Sequence, residues 1–84
     1  MLFYLLLYPS LTRTQQAAAA LTREGIQNQL IRSPRAISRE GCGHCVRLGQ
    51  GSAPKALSLL SRQGLPPKRV YVTAGDGYYE EAVL

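Results

Sequence analysis

An uninterrupted apolar run, Leu-Phe-Tyr-Leu-Leu-Leu-Tyr, occupies residues 2–8 and is followed directly by Pro9 and Ser10. A short apolar run that ends at a breaking residue is typical of a strand buried on both faces. The run lacks the basic flank and the cleavage site of a signal peptide, and it is far shorter than the ~20 residues of a membrane helix. We therefore predict a central β-strand and no membrane segment.

Five further elements are predicted downstream from periodicity and from breaking residues. They are a helix at 12–24, strands at 26–32 and 43–48, a helix at 52–63 and a strand at 69–73. The first helix is predicted to begin with a capping box, Thr12 with Gln15, and to end at Gly25. The predicted order of elements is therefore strand-helix-strand-strand-helix-strand.

This order is the split β-α-β pattern of a ferredoxin-like sandwich, an α+β fold. We expect a four-stranded antiparallel sheet with two helices on one face, formed by one domain that covers residues 1–84. The tail at 74–84 is expected to stay loose or to add an edge strand. The uncovered sheet face would be available for a homodimer or for another partner.

The amino-acid composition limits the classes of molecule that we expect the protein to bind. The chain has 84 residues and a net charge of +5, from ten Lys and Arg against five Asp and Glu. Such a charge permits nucleic-acid binding, but there is no aromatic RNA-binding motif and no dense Lys/Arg run. A solvated basic face is the simpler interpretation, so nucleic acid is not a predicted partner. Two cysteines without an export signal favour a cytoplasmic location and free thiols.

The chemistry of the chain concentrates in Cys42-Gly43-His44-Cys45, which contains both cysteines and the only histidine. The same four residue types form the active site of protein disulfide isomerases, where the motif opens a helix. Here an alternating segment follows at 46–48 and Gly49 ends it, so a helix is not expected. The redox interpretation therefore lacks its structural context.

A metal site is a second interpretation of these cysteines. One Cys-x-x-Cys supplies two ligands, whereas a structural zinc ion needs four. A dimer that shares a site, or a Cu(I) ion held by two thiolates, would remove this difficulty. The chain has no second Cys/His pair, so we predict neither a metal nor another cofactor.

A persulfide or selenide carrier is the third interpretation, and it needs one accessible thiolate. Cys42 lies at a junction between loop and strand, and its small neighbours Gly41 and Gly43 leave the sulfur open. Arg39 and Arg47, together with Arg35 if the loop folds back, are expected to stabilise the thiolate or to attract an anionic donor.

Cys45 is expected to be either a resolving thiol or a small apolar residue on the sheet. In an extended strand, positions i and i+3 lie ~10 Å apart and on opposite faces. A disulfide needs Cα atoms within ~7 Å, so Cys42 and Cys45 can bridge only if Gly43 and His44 form a turn. We assign no catalytic role to His44.

These residues together resemble a family of small bacterial domains of unknown function, the selenium/sulfur carrier protein-like family. The resemblance covers nearly the whole chain and is carried by Tyr8-Pro9-Ser10, Gly25-Ile26, Ser-Pro-Arg-Ala-Ile-Ser at 33–38, and Cys42-Gly43-x-Cys45 with Val-Arg-Leu at 46–48. It implies a role in selenium or sulfur trafficking beside a cysteine-desulfurase-like or selenium-metabolism enzyme. In the family pattern Cys42 matches the usual cysteine, whereas the position of Cys45 also accepts alanine.

The sequence thus leaves two hypotheses from different classes. In the first, the chain is a cytoplasmic carrier, not a turnover enzyme, and bears sulfur or selenium on Cys42. In the second, it is a ferredoxin-like binding module whose cysteines are inert. Fast thiol labelling of Cys42 in the native protein would favour the carrier, and slow labelling of both cysteines would favour the module.

Overall fold

The computed structural model describes residues 1–40 and 42–82, apart from the side chain of Glu40. Its elements in chain order are β1 Phe3–Leu7, α1 Leu11–Arg23, β2 Gln29–Arg32, β3 His44–Gly49, α2 Ala53–Arg62, β4 Arg69–Thr73 and β5 Glu80–Glu81. Short 3₁₀ turns at Ser38–Glu40 and Gln50–Ser52 precede the Cys42 region and α2, respectively. The predicted α+β class is confirmed, and β4 has the predicted bounds.

The sheet has the strand order β2-β3-β1-β4-β5, and all neighbouring strands are antiparallel. The prediction of four strands was wrong, because the tail folds back and β5 pairs with β4 through Val72 and Glu80. Gly75 and Gly77 provide the reversal, each with a positive φ that glycine adopts without strain. The tail therefore adds an edge strand up to Glu81, and residues 83–84 lie outside the described part.

The central strand β1 is buried on both faces, as predicted. On one face Leu6 and Tyr8 pack against both helices, in a cluster that includes Leu21 and Leu60. On the other face Leu5 and Leu7 pack with residues that do not belong to the helices.

The sheet face opposite the helices is covered, although the sequence suggested an open face. Ile37, from the connection between β2 and β3, is only 3% exposed and packs onto this face. Tyr71 and Tyr79 pack beside the same cluster. The chain itself therefore shields this face, and a partner is not needed to bury Leu5 and Leu7.

The start of α1 differs from the prediction. Ser10, not Thr12, is the N-cap: its backbone is extended and its Oγ accepts a hydrogen bond from the Arg13 N–H at 3.2 Å. Because Ser10 directly follows the Pro9 that ends β1, the helix begins two residues earlier. The predicted C-terminal glycine is correct, since Gly25 has φ +74°.

The strand β2 is shorter than the predicted strand at 26–32, because the segment before it is longer than expected. The Ile26 N–H donates to the Leu21 carbonyl at 2.9 Å, and the Ile26 side chain is buried in the helix-side cluster. This hydrogen bond closes the C-terminal end of α1, so Ile26 does not pair with β3. Pairing with β3 consequently begins only at Gln29.

The buried Tyr8 connects the end of β1 to the segment after α2. Its hydroxyl donates to the Leu65 carbonyl at 2.6 Å, and burial raises the pKa of Tyr8 far above the usual range.

Among the described helices, none combines the length and apolar character that a bilayer crossing requires.

Candidate functional site: the two cysteines

Cys42 lies immediately before β3 and is partly exposed. Its Sγ is 3.4 Å from the Thr14 Oγ1 and 3.5 Å from the His44 carbonyl oxygen. Thr14 belongs to the first turns of α1. The sulfur therefore lies between the start of a helix and the start of a central strand, at an edge of the core that solvent reaches.

The Thr14 hydroxyl is the nearest side-chain group to this sulfur. It donates to the Ser10 carbonyl at 2.8 Å, and that carbonyl also accepts from the Thr14 N–H at 3.1 Å. With the hydroxyl proton in use, the single proton of a neutral Cys42 thiol has two acceptors within reach, the His44 carbonyl oxygen and the Thr14 hydroxyl oxygen. When the thiol ionises, the hydroxyl can rotate and donate to it, because the Ser10 carbonyl keeps its backbone partner.

Gly43 shapes the turn that separates the two cysteines. It has φ +91°, in the region that side chains disfavour, and a Cβ built there would meet, apart from its two chain neighbours, no heavy atom of the described residues within 4 Å. The glycine is therefore required by backbone conformation, not by crowding. The other predicted small neighbour, Gly41, lies outside the described residues.

Cys45 has the opposite environment. It is fully buried on the sheet face away from the helices, where it packs with Leu5, Leu7 and Ile37. Burial raises the pKa of the Cys45 thiol, the nearby Ser33 hydroxyl opposes that effect, and the neighbouring Cys42 adds slightly to it. Ser33 Oγ is itself buried without a partner of good hydrogen-bond geometry, so its contact with the thiol is weak. Cys45 is consequently held as a neutral thiol.

Both thiols are free, and they face opposite sides of the sheet. The turn at Gly43 does not bring them together. A resolving role for Cys45 would require it to leave the cluster under Ile37. Cys42 Sγ donates to the backbone carbonyl of His44, and within the described residues the imidazole makes no hydrogen bond in the site.

Of the three predicted arginines, Arg47 does not face Cys42. Arg47 lies on the face of Cys45, where its Nη1 donates to Gln29 Oε1 at 2.7 Å and its guanidinium lies 3.9 Å from the Phe3 ring centre. The expectation for Arg47 is corrected by strand alternation, which turns it away from the face of Cys42. Arg35 and Arg39 are exposed in the connection before Cys42, and within the described residues their guanidinium groups make no hydrogen bond.

Two residues near Cys42 were missed at the sequence level. Arg32 pairs with His44 across β2 and β3, so it shares the face of Cys42 and is exposed there. A correct strand register would have revealed it. Thr14 comes from α1, 28 positions away, and only the packing of helix on sheet brings it to the sulfur. No local sequence signal marks that contact.

A comparison with protein families identifies the chain. The family model described as "Putative Se/S carrier protein-like" matches residues 3–72, which include both helices and both cysteines. The chain belongs to this family. The resemblance noted in the sequence is thereby confirmed. No curated protein and no solved structure matches the chain.

Membership in the Se/S carrier-like family suggests that the protein carries selenium or sulfur, and a carrier operates between partner enzymes. Within residues 1–40 and 42–82, no group of three or more His, Cys, Asp or Glu side chains is placed to hold a metal ion. Cys42 and Cys45 remain the candidate cargo-bearing residues of this family member.

Proposed function

We propose that the protein carries a sulfur or selenium atom on Cys42 Sγ, as a persulfide or its selenium analogue, and that it does not turn over a substrate of its own. The observation that carries the proposal is the contrast in exposure between the two cysteines. Cys42 is partly exposed, whereas Cys45 is 0% exposed. A carrier thiol must meet the donor and the acceptor in turn, and only Cys42 can do so.

Loading is a simple sulfur transfer. The Cys42 thiolate attacks the terminal sulfur of a donor enzyme's persulfide, a new S–S bond forms on Cys42, and the donor's S–S bond breaks. The electron pair of that bond leaves with the donor cysteine as a thiolate, so the exchange needs no external oxidant. Unloading is the same step with an acceptor thiolate as the attacking group.

The surroundings of Cys42 suit this chemistry. The Thr14 hydroxyl, 3.4 Å from the sulfur, can donate to the thiolate that attacks. Cys42 is partly exposed, so solvent reaches one side of the site. An added sulfur or selenium atom can extend toward solvent.

A cysteine-desulfurase-like or selenium-metabolism enzyme is the partner that this chemistry requires. Arg32, Arg35 and Arg39 are exposed around the segment that leads to Cys42. They would draw in a donor with an acidic surface, through an attraction that weakens as salt increases. We place this exchange in the reducing cytoplasm and assign it to a single domain.

The experiment is a transfer assay with matched cysteine variants. The reduced protein is incubated with a cysteine desulfurase and either cysteine or selenocysteine, so that the donor enzyme supplies the S–S or S–Se bond that is exchanged, and then with an acceptor thiol protein. Cys45→Ala should keep transfer, and Cys42→Ser should lose it while its folded far- and near-ultraviolet spectra stay unchanged. Transfer by folded Cys42→Ser would refute Cys42 as the carrier. Absence of any adduct on the folded wild-type protein would favour a binding module with inert cysteines.

A further inference from the structure

A cleft of about 840 Å³ lies at the far end of β3 from Cys42. It is formed by the start of β1, the end of α1, the connection to β2, the end of β3 and the start of α2. Its volume falls within the range of small-molecule sites. The cleft shares no lining residue with the environment of either cysteine, so carrier chemistry does not explain it.

The lining combines an apolar floor with polar groups. Met1 and Phe3 supply apolar surface, whereas Ile26 and Leu48 are almost fully buried in the helix-side cluster. Neighbouring amide and hydroxyl side chains supply hydrogen-bonding groups. Arg47 is the single charged side chain of the lining, and no carboxylate lies in it. A ligand that neutralises the positive charge of the cleft must therefore be an anion.

Arg47 is held in place without being neutralised. One of its amino groups donates to Gln29 Oε1 at 2.7 Å, and the guanidinium stacks on Phe3 at 3.9 Å from the ring centre. Within the described residues no carboxylate pairs with it. A guanidinium has five N–H donors in a planar fork, so donors remain for a carboxylate or phosphate.

The amides beside Arg47 are also fixed by hydrogen bonds. Gln29 uses its oxygen for Arg47, which leaves its NH₂ group as a second donor near the cation. Asn28 uses its NH₂ group for the Thr22 hydroxyl at 3.2 Å and the Ile26 carbonyl at 3.0 Å. Arg47 and Gln29 together thus present a preformed set of donors above an apolar floor.

We propose that this cleft binds a small organic anion, with its carboxylate or phosphate on Arg47 and the Gln29 amide and its apolar body against Phe3 and Met1. The guanidinium, fixed between Phe3 and Gln29, supplies the specificity for the anionic group. The apolar floor selects for organic anions over simple inorganic ones.

The test is a titration of the full, reduced, ¹⁵N-labelled protein, followed by backbone and side-chain amide resonances in physiological salt. The probes are benzoate, phenyl phosphate, the neutral benzamide, and inorganic phosphate. Benzoate or phenyl phosphate should give saturable shifts at Asn28, Gln29, Gly49 and Ser52, and comparison of these two probes identifies the preferred anion. Benzamide and inorganic phosphate should bind at least tenfold more weakly.

Three variants test the role of Arg47. Arg47→Gln should weaken the best probe at least tenfold. Gln29→Glu should do the same by placing a carboxylate against the guanidinium. Because Gln29 is exposed, this variant should fold even if Arg47→Gln does not, and it then serves as the test. Arg35→Gln, the matched loss of an exposed arginine outside the cleft, should change nothing. Equal binding of benzamide, equal binding by Gln29→Glu, or no saturable shift would overturn the proposal.

Discussion

Cys42 and Cys45 are three positions apart, yet they lie in different chemical environments. Cys42 contacts a hydroxyl and a backbone carbonyl at the edge of the helix-side core, whereas Cys45 is enclosed by Leu5, Leu7 and Ile37 on the other side of the sheet. The difference follows from the alternation of β3 together with the turn at Gly43. A Cys-x-x-Cys on a strand therefore separates its thiols, whereas the same motif at a helix start serves redox pairing.

The largest effect expected from this contrast is a difference between the thiol-labelling rates of the two cysteines. In the native protein Cys42 should react with iodoacetamide at least about 100-fold faster than Cys45, because Cys45 must wait for local opening. Tryptic cleavage after Arg39 and Arg47 places both cysteines in one peptide, and fragment ions assign each label. In denaturant the two rates should converge. Similar native rates would contradict the contrast.

Truncation of Ile37, which covers Cys45, should reduce the difference between the labelling rates of the two cysteines. Ile37→Ala should lower the free energy of unfolding by about 2 kcal/mol, since it deletes a buried side chain from a loop that partly collapses. It should also speed the labelling of Cys45 by about tenfold and leave that of Cys42 unchanged, because the opening cost falls by about 1.4 kcal/mol.

Leu30→Ala is the matched control for that variant, since Leu30 is 42% exposed on the edge strand. It should change neither labelling rate, and chemical denaturation should show a loss below about 1 kcal/mol. If the two variants behave alike, Ile37 does not protect Cys45.

The buried thiol should also make stability depend on pH. Burial raises the pKa of Cys45 above its ordinary value, so the unfolded chain loses this proton first as the pH rises. The stabilisation is fully present below the unfolded pKa and is lost above it. Between about pH 8.5 and 10, the wild type should lose more unfolding free energy than Cys45→Ala.

Urea unfolding at several pH values measures this difference. Tyr8, whose pKa burial also raises, contributes equally to both proteins and cancels. An identical pH dependence in the wild type and Cys45→Ala would mean that the Cys45 thiol is not held neutral by burial.

The smallest expected effect concerns the hydroxyl beside Cys42. Thr14→Val should slow the alkylation of Cys42 about threefold near neutral pH, because the thiolate loses a hydrogen bond worth about 0.5–1.5 kcal/mol. Thr12→Val, an exposed change two residues earlier in α1, is the control and should leave the rate unchanged. Equal rates for both variants would exclude a role for Thr14.

Much of this comparison was accessible from the sequence. The apolar run at 2–8, the alternation at 43–48 and the strand at 69–73 specify the core of the sheet, and alternation alone predicts opposite faces for Cys42 and Cys45. These signals are local and periodic, so the structure confirms them. The exposure of Cys42 follows from its position at the end of a strand.

The features that sequence analysis missed depend on tertiary packing. Thr14 reaches Cys42 only because α1 packs on the sheet, and Ile37 covers Cys45 only because the connection after β2 folds over that face. Arg47 was assigned to Cys42 from proximity in sequence, although alternation turns it toward Phe3. The β5 pairing depends on a reversal at Gly75 and Gly77 that composition does not specify.

The most direct test of the central claim is to locate the cargo atom in the wild-type protein. The reduced protein is loaded with a cysteine desulfurase and cysteine, blocked with iodoacetamide and digested with trypsin, and peptide 40–47 is fragmented. We predict one additional sulfur atom on Cys42 and none on Cys45. An additional sulfur on Cys45, or its absence from Cys42 in a folded protein exposed to an active donor, would contradict the account.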